Sequence, residues 1–396
     1  MNEPLRGIRV MDFTRIVAGP YCSMVLGDSG AEVIKIEQPG MGDDTRRWGP
    51  PFAGGESAYF ISLNRNKKSM TLNIKDEKGK EIFKKLAAIS DVLLENFRVG
   101  TLDELGLGYE DLRTINSRLI YCSLSGYGHS GPMKYKAGYD VIVSGEAGLM
   151  GITGEEGGGP VKVGVAVTDI TTGLFAQGAI GTALYFRERT GEGQKIELSL
   201  FESQVASLIN IASSYLIAGE APKKWGTAHA TIVPYQAFKA QDEYIIVGAG
   251  NQRLWRRFCK VLEREDLVDD PRFCDIEQRS KNRKELIDII AKRVAQKDGS
   301  QWLRKLEEEG VPCGPINSMD KVFSHPQITA RDMLVDVEHP TAGRIKLVGI
   351  PVKYSKTPGS VRLPPPLLGE HTEEILMNTL GYSMDEVGEL SKRGVI

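Results

Sequence analysis

Strand-like runs alternate with helical stretches through the first third of the chain, and this alternation restricts the fold more than any other feature. Residues 8–13 read as a strand, 20–26 as a short helix, 31–36 as a second strand and 69–74 as a third. Apolar spacing predicts a helix over 76–89, with Ile82, Phe83, Leu86 and Ala87 on one face and Lys78, Lys80, Lys84 and Lys85 available to solvent. Residues 91–95 and 119–124 continue the strand series. Strands separated by helices need crossover connections, so the pattern predicts an α/β fold with a parallel, Rossmann-like sheet.

Such a sheet invites a nucleotide, but the glycines for one are missing. The turn after the first strand, Thr14-Arg-Ile-Val-Ala-Gly-Pro20, has a single glycine where a dinucleotide fold needs G-x-G-x-x-G. Gly157-Gly-Gly-Pro160 follows an acidic turn, Gly154-Glu-Glu156, ill suited to pyrophosphate, and no Walker A run occurs. NAD and ATP are therefore disfavoured.

Beyond residue 220 the texture changes. Tyr244-Ile-Ile-Val-Gly-Ala-Gly250 reads as a strand entering a glycine-rich turn, and charged amphipathic helices are predicted over 283–297 and 300–309. A smaller α+β domain fits this texture. Residues 344–348 return to a strand-like run, Pro364-Pro-Pro366 marks a crossover, and Ser383-Met-Asp-Glu386 is a capping box opening the last helix.

Lys plus Arg number 50 against 52 Asp plus Glu, for a net charge of -2, which gives no electrostatic footprint for nucleic acid. Two local basic clusters, Arg65-Asn-Lys-Lys68 and Lys134-Tyr-Lys136, suit either solvated loops or a small anionic ligand. The five cysteines are scattered without a C-x-x-C pair, as in a cytoplasmic protein with reduced thiols. The histidines lack metal-ligand spacing, so no metal site is expected, and no apolar run reaches membrane-spanning length.

Asp169 stands out as a candidate catalytic group. It precedes a run, Ile170 to Leu184, with no ionisable side chain, which predicts a buried helix. Gly173, Gly178 and Gly181 weaken that helix, and close approach of another element is one reason to keep them. At such a position Asp169 is either an N-cap or a carboxylate nucleophile held in its charged form by the helix end.

Several ordered motifs carry a resemblance. Gly7-Ile-Arg-Val-Met-Asp-Phe-Thr14, Ala18-Gly-Pro20, Gly30-Ala-Glu-Val-Ile-Lys-Ile-Glu37, Asn64-Arg-Asn-Lys67, Glu95-Asn-Phe97, Gly126-Tyr-Gly128, Gly138-Tyr-Asp140 and the Asp169 segment resemble the class III CoA-transferase family, which includes α-methylacyl-CoA racemases. The runs Lys224-Trp-Gly-Thr-Ala-His229 and Ile232-Val-Pro-Tyr-Gln-Ala-Phe238 are similar to its succinyl-CoA:glutarate branch. The resemblance implies a large Rossmann-like domain from both chain ends and a small domain from the middle, in an interlocked homodimer. The corresponding divisions are 1–200, a linker at 201–225, the small domain at 226–325 and a returning segment at 326–396.

The implied activity moves CoA from a dicarboxylyl-CoA, succinyl-CoA foremost, to a free dicarboxylic acid such as glutarate. Asp169 is the implied nucleophile, passing through an aspartyl-CoA thioester, with acyl-CoA and carboxylic acids as substrates and no bound cofactor. The CoA-contacting positions fall at Val17, Ala18, Gln38, Leu72, Asn73, Lys75, Asn96, Phe97, Arg98, Ala137, Gly138, Tyr139 and Asp140. Gly248, Ala249, Gly250 and Asn251 match a mobile loop that covers the active site in some members. Val17, Gln38, Glu104 and Ala137 depart from the formyl-CoA transferase pattern, so the phosphates need other cations, with Arg46, Lys75, Arg98 and Lys136 as candidates. Arg15, Arg46 and Arg47 are candidates for a distal carboxylate. Tyr139 stands where the racemases carry a histidine, which weighs against α-proton exchange. Racemase, isomerase or a non-catalytic CoA-binding protein are the alternatives.

Overall fold

The computed structural model describes residues 3–396, folded as two compact units. The larger comprises Met1–Leu149, Val163–Ser213 and Pro326–Ile396; the smaller comprises Met150–Lys162 and Ser214–His325. Residues 150–162 thus go with the smaller unit, apart from the sequence neighbours that flank them.

The larger unit is built on six strands: β1 (Arg9–Phe13), β2 (Glu32–Glu37), β3 (Lys67–Thr71), β4 (Val92–Glu95), β5 (Ile120–Ser125) and β6 (Lys195–Ser199). Every pairing is parallel and the spatial order is β3-β2-β1-β4-β5-β6. This is the doubly wound order, whose direction reverses between β1 and β4. In register, Val10 faces Val33 and Val92, while Met11 faces Ile34 and Leu93. Because side chains alternate sides along a strand, these rows feed two cores. Met11, Ile34 and Leu93 pack with Ile82, Phe83, Leu86 and Ala87 of α2 (Glu77–Ala88) and with Leu376, Val387 and Leu390 of the returning C-terminal segment. Val10, Val33 and Val92 pack with α1 (Ala18–Asp28) and with α4 (Val167–Thr190), through Ala176, Ile180 and Ala183.

The predicted helix at 76–89 is α2 itself, with Asp76 as its N-cap accepting the Lys78 N–H at 2.8 Å. The capping box Ser383/Glu386 opens the last helix, Met384–Lys392. For α4, the expectation of burial on all sides is corrected. One face packs against α1 so tightly that a Cβ on Gly173 would lie 2.6 Å from the Ala18 carbonyl oxygen. The other face leaves Leu174, Phe175, Tyr185 and Phe186 exposed, and a Cβ on Gly178 or Gly181 would meet open space. The apolar run is continuous because both faces are apolar, yet a single chain covers only one.

The smaller unit holds an antiparallel sheet of three strands, Tyr235–Lys239, Tyr244–Gly248 and Cys313–Pro315, backed by helices Gln252–Leu262, Arg283–Val294 and Gly299–Glu308. Trp255, Phe258 and Trp302 fill its core. Among the described residues no helix is long and apolar enough to cross a membrane, and no cluster of His, Cys, Asp or Glu is placed to hold a metal.

Candidate active site

Open parallel sheets bind ligands outside the carboxyl ends of their strands, where the strand order reverses. A cleft of about 320 Å³ occupies that position in the larger unit. Its walls are the loops after β1 (residues 15–18), after β4 (96–99) and after β5 (124–126 and 134–139), with Asp169 and Leu200 completing it. The loop at 134–139 approaches closely because two glycines meet: a Cβ on Gly126 would lie 3.0 Å from the Gly138 Cα.

Asp169 is not the N-cap. The cap position of α4 is Ala166, whose side chain makes no capping bond, and Asp169 is the third helical residue. Asp140, at the start of α3 (Asp140–Glu146), does the capping instead. Its Oδ1 accepts the N–H of Thr168 at 2.9 Å and of Asp169 at 3.3 Å. Thr168 Oγ1 is held in turn by Ser144 at 3.0 Å and by Gln204 at 2.7 Å. Among the described residues nothing donates to the Asp169 carboxylate, which is 8 % exposed and faces the cleft.

The expectation that the helix end keeps Asp169 charged is also corrected. Burial, reinforced by the neighbouring Asp140 carboxylate, raises its pKa to about 7. Asp140 has already taken the N–H groups that would have favoured a second anion. The Tyr59 hydroxyl is pushed up as well, by burial and then by Asp169 and Asp140, which places this tyrosine near both carboxylates. Tyr59 lies on the short helix Ala58–Leu63, far from Asp169 in sequence, and nothing in its sequence surroundings signals the proximity.

Beside the cleft, two fully buried lysines tie the loop after β1 to the sheet. Lys67 pairs with Asp12 and Lys35 with Asp43, each at 2.9 Å and each with both side chains inaccessible. Ser23 and Thr14 also bond Asp12, while Lys67 reaches the Pro20 carbonyl and the Asn64 side chain. Asp43 accepts the Ile16 N–H, and Ile16 sits at φ 74, left-handed backbone that a β-branched residue rarely adopts. Burial lowers the Lys67 pKa to about 8 against the pull of Asp12, and the two lysines hold Asp12 well below the usual carboxylate range. The cluster at 65–68 is thus neither a solvated loop nor a ligand site: Arg65 is buried against Asp28 at 2.7 Å, and Lys68 pairs with Glu374 at 2.8 Å.

Of the other predicted positions, Val17, Ala18, Asn96, Phe97, Arg98, Ala137, Gly138 and Tyr139 line the cleft with Asp169. Gln38, Leu72, Asn73 and Lys75 do not: Leu72 is buried in the core, the Asn73 N–H bonds the Val395 carbonyl at 2.7 Å, and Gln38 and Lys75 are exposed. Asp140 does not line the cleft either but braces it. Arg46 is engaged, forked onto Glu37 at 2.8 Å for each bond and stacked over Phe60. Lys136 is bonded to Glu146. Arg15 lines the cleft but pairs with Asp44 at 3.3 Å, and Arg47 bonds the Met41 carbonyl. Arg98 and Lys134 are the lining cations with no carboxylate partner among the described residues. In the smaller unit, Ala249 is buried, and Asn251 caps helix Gln252–Leu262 by accepting the Leu254 N–H at 3.0 Å.

The doubly wound sheet thus carries, at the point where its strand order reverses, a cleft lined by a buried carboxylate that no described residue bonds. The sequence model of CoA-transferase family III matches residues 5–372, and the chain belongs to that family. It is 51% identical over 394 residues to a human protein named succinyl-CoA:glutarate CoA-transferase, covering 100% of this chain and 90% of that one. It is 42% identical to a succinate--glutarate CoA-transferase of Agrobacterium fabrum, over 95% of each chain. Among solved structures, a CAIB/BAIF family protein from Brucella suis superposes with a TM-score of 0.86 at 41% identity, covering 96% of this chain and 100% of that one.

Proposed function

We propose that this enzyme transfers CoA from succinyl-CoA to glutarate, with Asp169 as the covalent nucleophile. The observation that carries the reading is the division of labour at α4: Asp140 caps the helix, so the Asp169 carboxylate stays unbonded and open to the cleft. An Asp169 oxygen attacks the thioester carbonyl; the C–S bond breaks, giving CoA thiolate and a succinyl–aspartyl anhydride. The thiolate then attacks the aspartyl carbon, releasing succinate and leaving an aspartyl-CoA thioester. Glutarate repeats the sequence in reverse, forming glutaryl-CoA and restoring the carboxylate. Each step exchanges groups of similar leaving ability, which is what a covalent intermediate offers. Atoms and charge balance without a cofactor. A carboxylate whose pKa sits near 7 is also a stronger nucleophile, once ionised, than an ordinary aspartate.

Arg98 and Lys134 are the cations free to meet the CoA phosphates. The exposed apolar face of α4 (Leu174, Phe175, Tyr185, Phe186) supports burial against a second copy in a homodimer, which light scattering of the purified protein tests. For the reaction, succinyl-CoA and glutarate are incubated with wild type and Asp169→Ala, and acyl-CoA products are read by mass spectrometry. Glutaryl-CoA from wild type alone is the expected result, with glutarate ¹⁸O appearing in Asp169; full turnover by the variant refutes the nucleophile.

A further inference from the structure

Glu95, the last residue of β4, lies next to the cleft loop yet has no part in the covalent chemistry. It is 5 % exposed, and its Oε2 accepts the Phe97 N–H at 2.9 Å, which fixes the turn of the loop at 96–99. Its Oε1 is bonded to the hydroxyl of Ser123 on β5. The same hydroxyl lies 2.7 Å from Nε2 of His129, whose Nδ1 faces Glu197 on β6 at 3.7 Å. Three strands thus contribute to one chain of polar groups. Arg98 and Val99 line both the cleft and a small polar hole of about 10 Å³ that Glu95 and His129 also line. The loop is the shared wall.

Proton counting limits what this chain can do. Ser123 has one hydroxyl proton and two neighbours that both need one. Either Ser123 donates to an ionised Glu95 and His129 donates through Nε2, or a protonated Glu95 donates to Ser123, which donates to a bare Nε2. With a neutral imidazole in both, passing from the first to the second moves the Nε2 proton through the hydroxyl to Glu95 while Nδ1 takes one proton from solvent. The step is a net protonation that neutralises the group holding Phe97.

We propose that Glu95 is a positioning residue for the CoA-binding loop, and that its protonation through the Ser123–His129 chain sets how firmly that loop is held. The inference rests on the reading of the cleft as the CoA site. Burial pushes Glu95 up to about 7, partly opposed by its bonds from Ser123 and Phe97. Arg98, Asp103, Tyr109, Tyr121 and Lys195 face the same hole; Lys195 favours the charged Glu95 and Asp103 disfavours it. His129 is pushed down by burial, against the pull of Glu197, so the imidazole does not take the proton in place of Glu95. An ionised acceptor binds the Phe97 N–H more strongly than a neutral one. Loop order, and CoA affinity with it, therefore rises as pH rises through this range.

Calorimetric titration of the full chain with free coenzyme A, at pH values from about 5.5 to 8.5, tests the idea in wild type, Glu95→Gln and Ser123→Ala. The 3′-phosphate of CoA titrates in this range in every case, so the comparison between proteins carries the result. Wild-type affinity should rise about five-fold more than that of Glu95→Gln across the range, the gap between a charged and a neutral acceptor. Ser123→Ala removes a bond that favours the charged form, so its midpoint should move to higher pH. Superposing profiles for wild type and Glu95→Gln, or an unmoved midpoint in Ser123→Ala, overturns the proposal. Absence of CoA binding by wild type at every pH overturns the CoA-site reading itself.

Discussion

Asp169→Asn should abolish transfer and at the same time stabilise the fold above neutral pH. In the folded chain the carboxyl holds its proton up to a pKa of about 7, against an ordinary value of 3.8. Between those values the folded state binds more protons than the unfolded chain, so stability falls as pH rises through the window. At roughly 1.4 kcal/mol per unit, the ceiling on this penalty is about 4 kcal/mol above pH 7. Asparagine has no proton to lose, but its buried amide needs a donor partner that the site lacks, at about 1–2 kcal/mol. The net gain is then about 2 kcal/mol at pH 8 and near zero at pH 5. The difference between the two conditions, about 2–3 kcal/mol, is free of the amide penalty because that term is common to both. Urea unfolding by circular dichroism at about pH 5 and about pH 8, at fixed protein concentration, measures it. Three of the four tryptophans (Trp225, Trp255, Trp302) lie in the smaller unit, so their fluorescence separates its unfolding from that of the larger. A wild-type-to-variant difference equal at both pH values refutes the assignment of the raised pKa to Asp169.

The same group predicts the pH profile: kcat/KM for succinyl-CoA should fall about ten-fold per unit below pH 7 as the nucleophile protonates. A flat profile down to about pH 5 would show that Asp169 stays ionised. Lys67→Met strands the buried Asp12 carboxylate and should cost about 3–5 kcal/mol in urea unfolding; a loss below about 1 kcal/mol would mean that Lys35 alone suffices. Gly173→Ala places a methyl 2.6 Å from the Ala18 carbonyl oxygen and should cost about 1–3 kcal/mol by separating α4 from α1. An unchanged unfolding midpoint there would mean that the two helices part without strain.

Periodicity carried five of the six strands, because strands buried on both faces leave long apolar runs between polar helix starts. The edge strand β6, Lys-Ile-Glu-Leu-Ser with its charged residues exposed, has no such run and was not legible. The face of α2 was legible for the same reason: Ile82, Phe83, Leu86 and Ala87 repeat at helical spacing and are all buried. Long-range pairing was not legible. Lys35 and Lys67 look like surface charges in their own windows and become inaccessible only because Asp43 and Asp12 meet them across the fold. Arg46 reads as a free cation until Glu37 and Phe60 are brought to it. Tyr59 has no local signature, since its relation to Asp169 exists only in three dimensions.

The aspartate at the start of α4 shows where sequence logic stops and geometry takes over. A carboxylate near a helix start satisfies the rules for a cap, and those rules cannot tell which of two nearby aspartates obeys them. Asp140 obeys them, from a separate helix, by accepting both the Thr168 and Asp169 N–H groups. That substitution has two effects with one cause. It meets the helix end's need for an acceptor, and it sets a second negative charge beside Asp169, in a site too dry to screen it. The cap therefore frees the nucleophile from hydrogen bonding and raises its basicity together. Removing Asp140 would leave the Thr168 and Asp169 N–H groups without their acceptor and take away the neighbouring charge, lowering the Asp169 pKa and slowing its attack while leaving the residue in place.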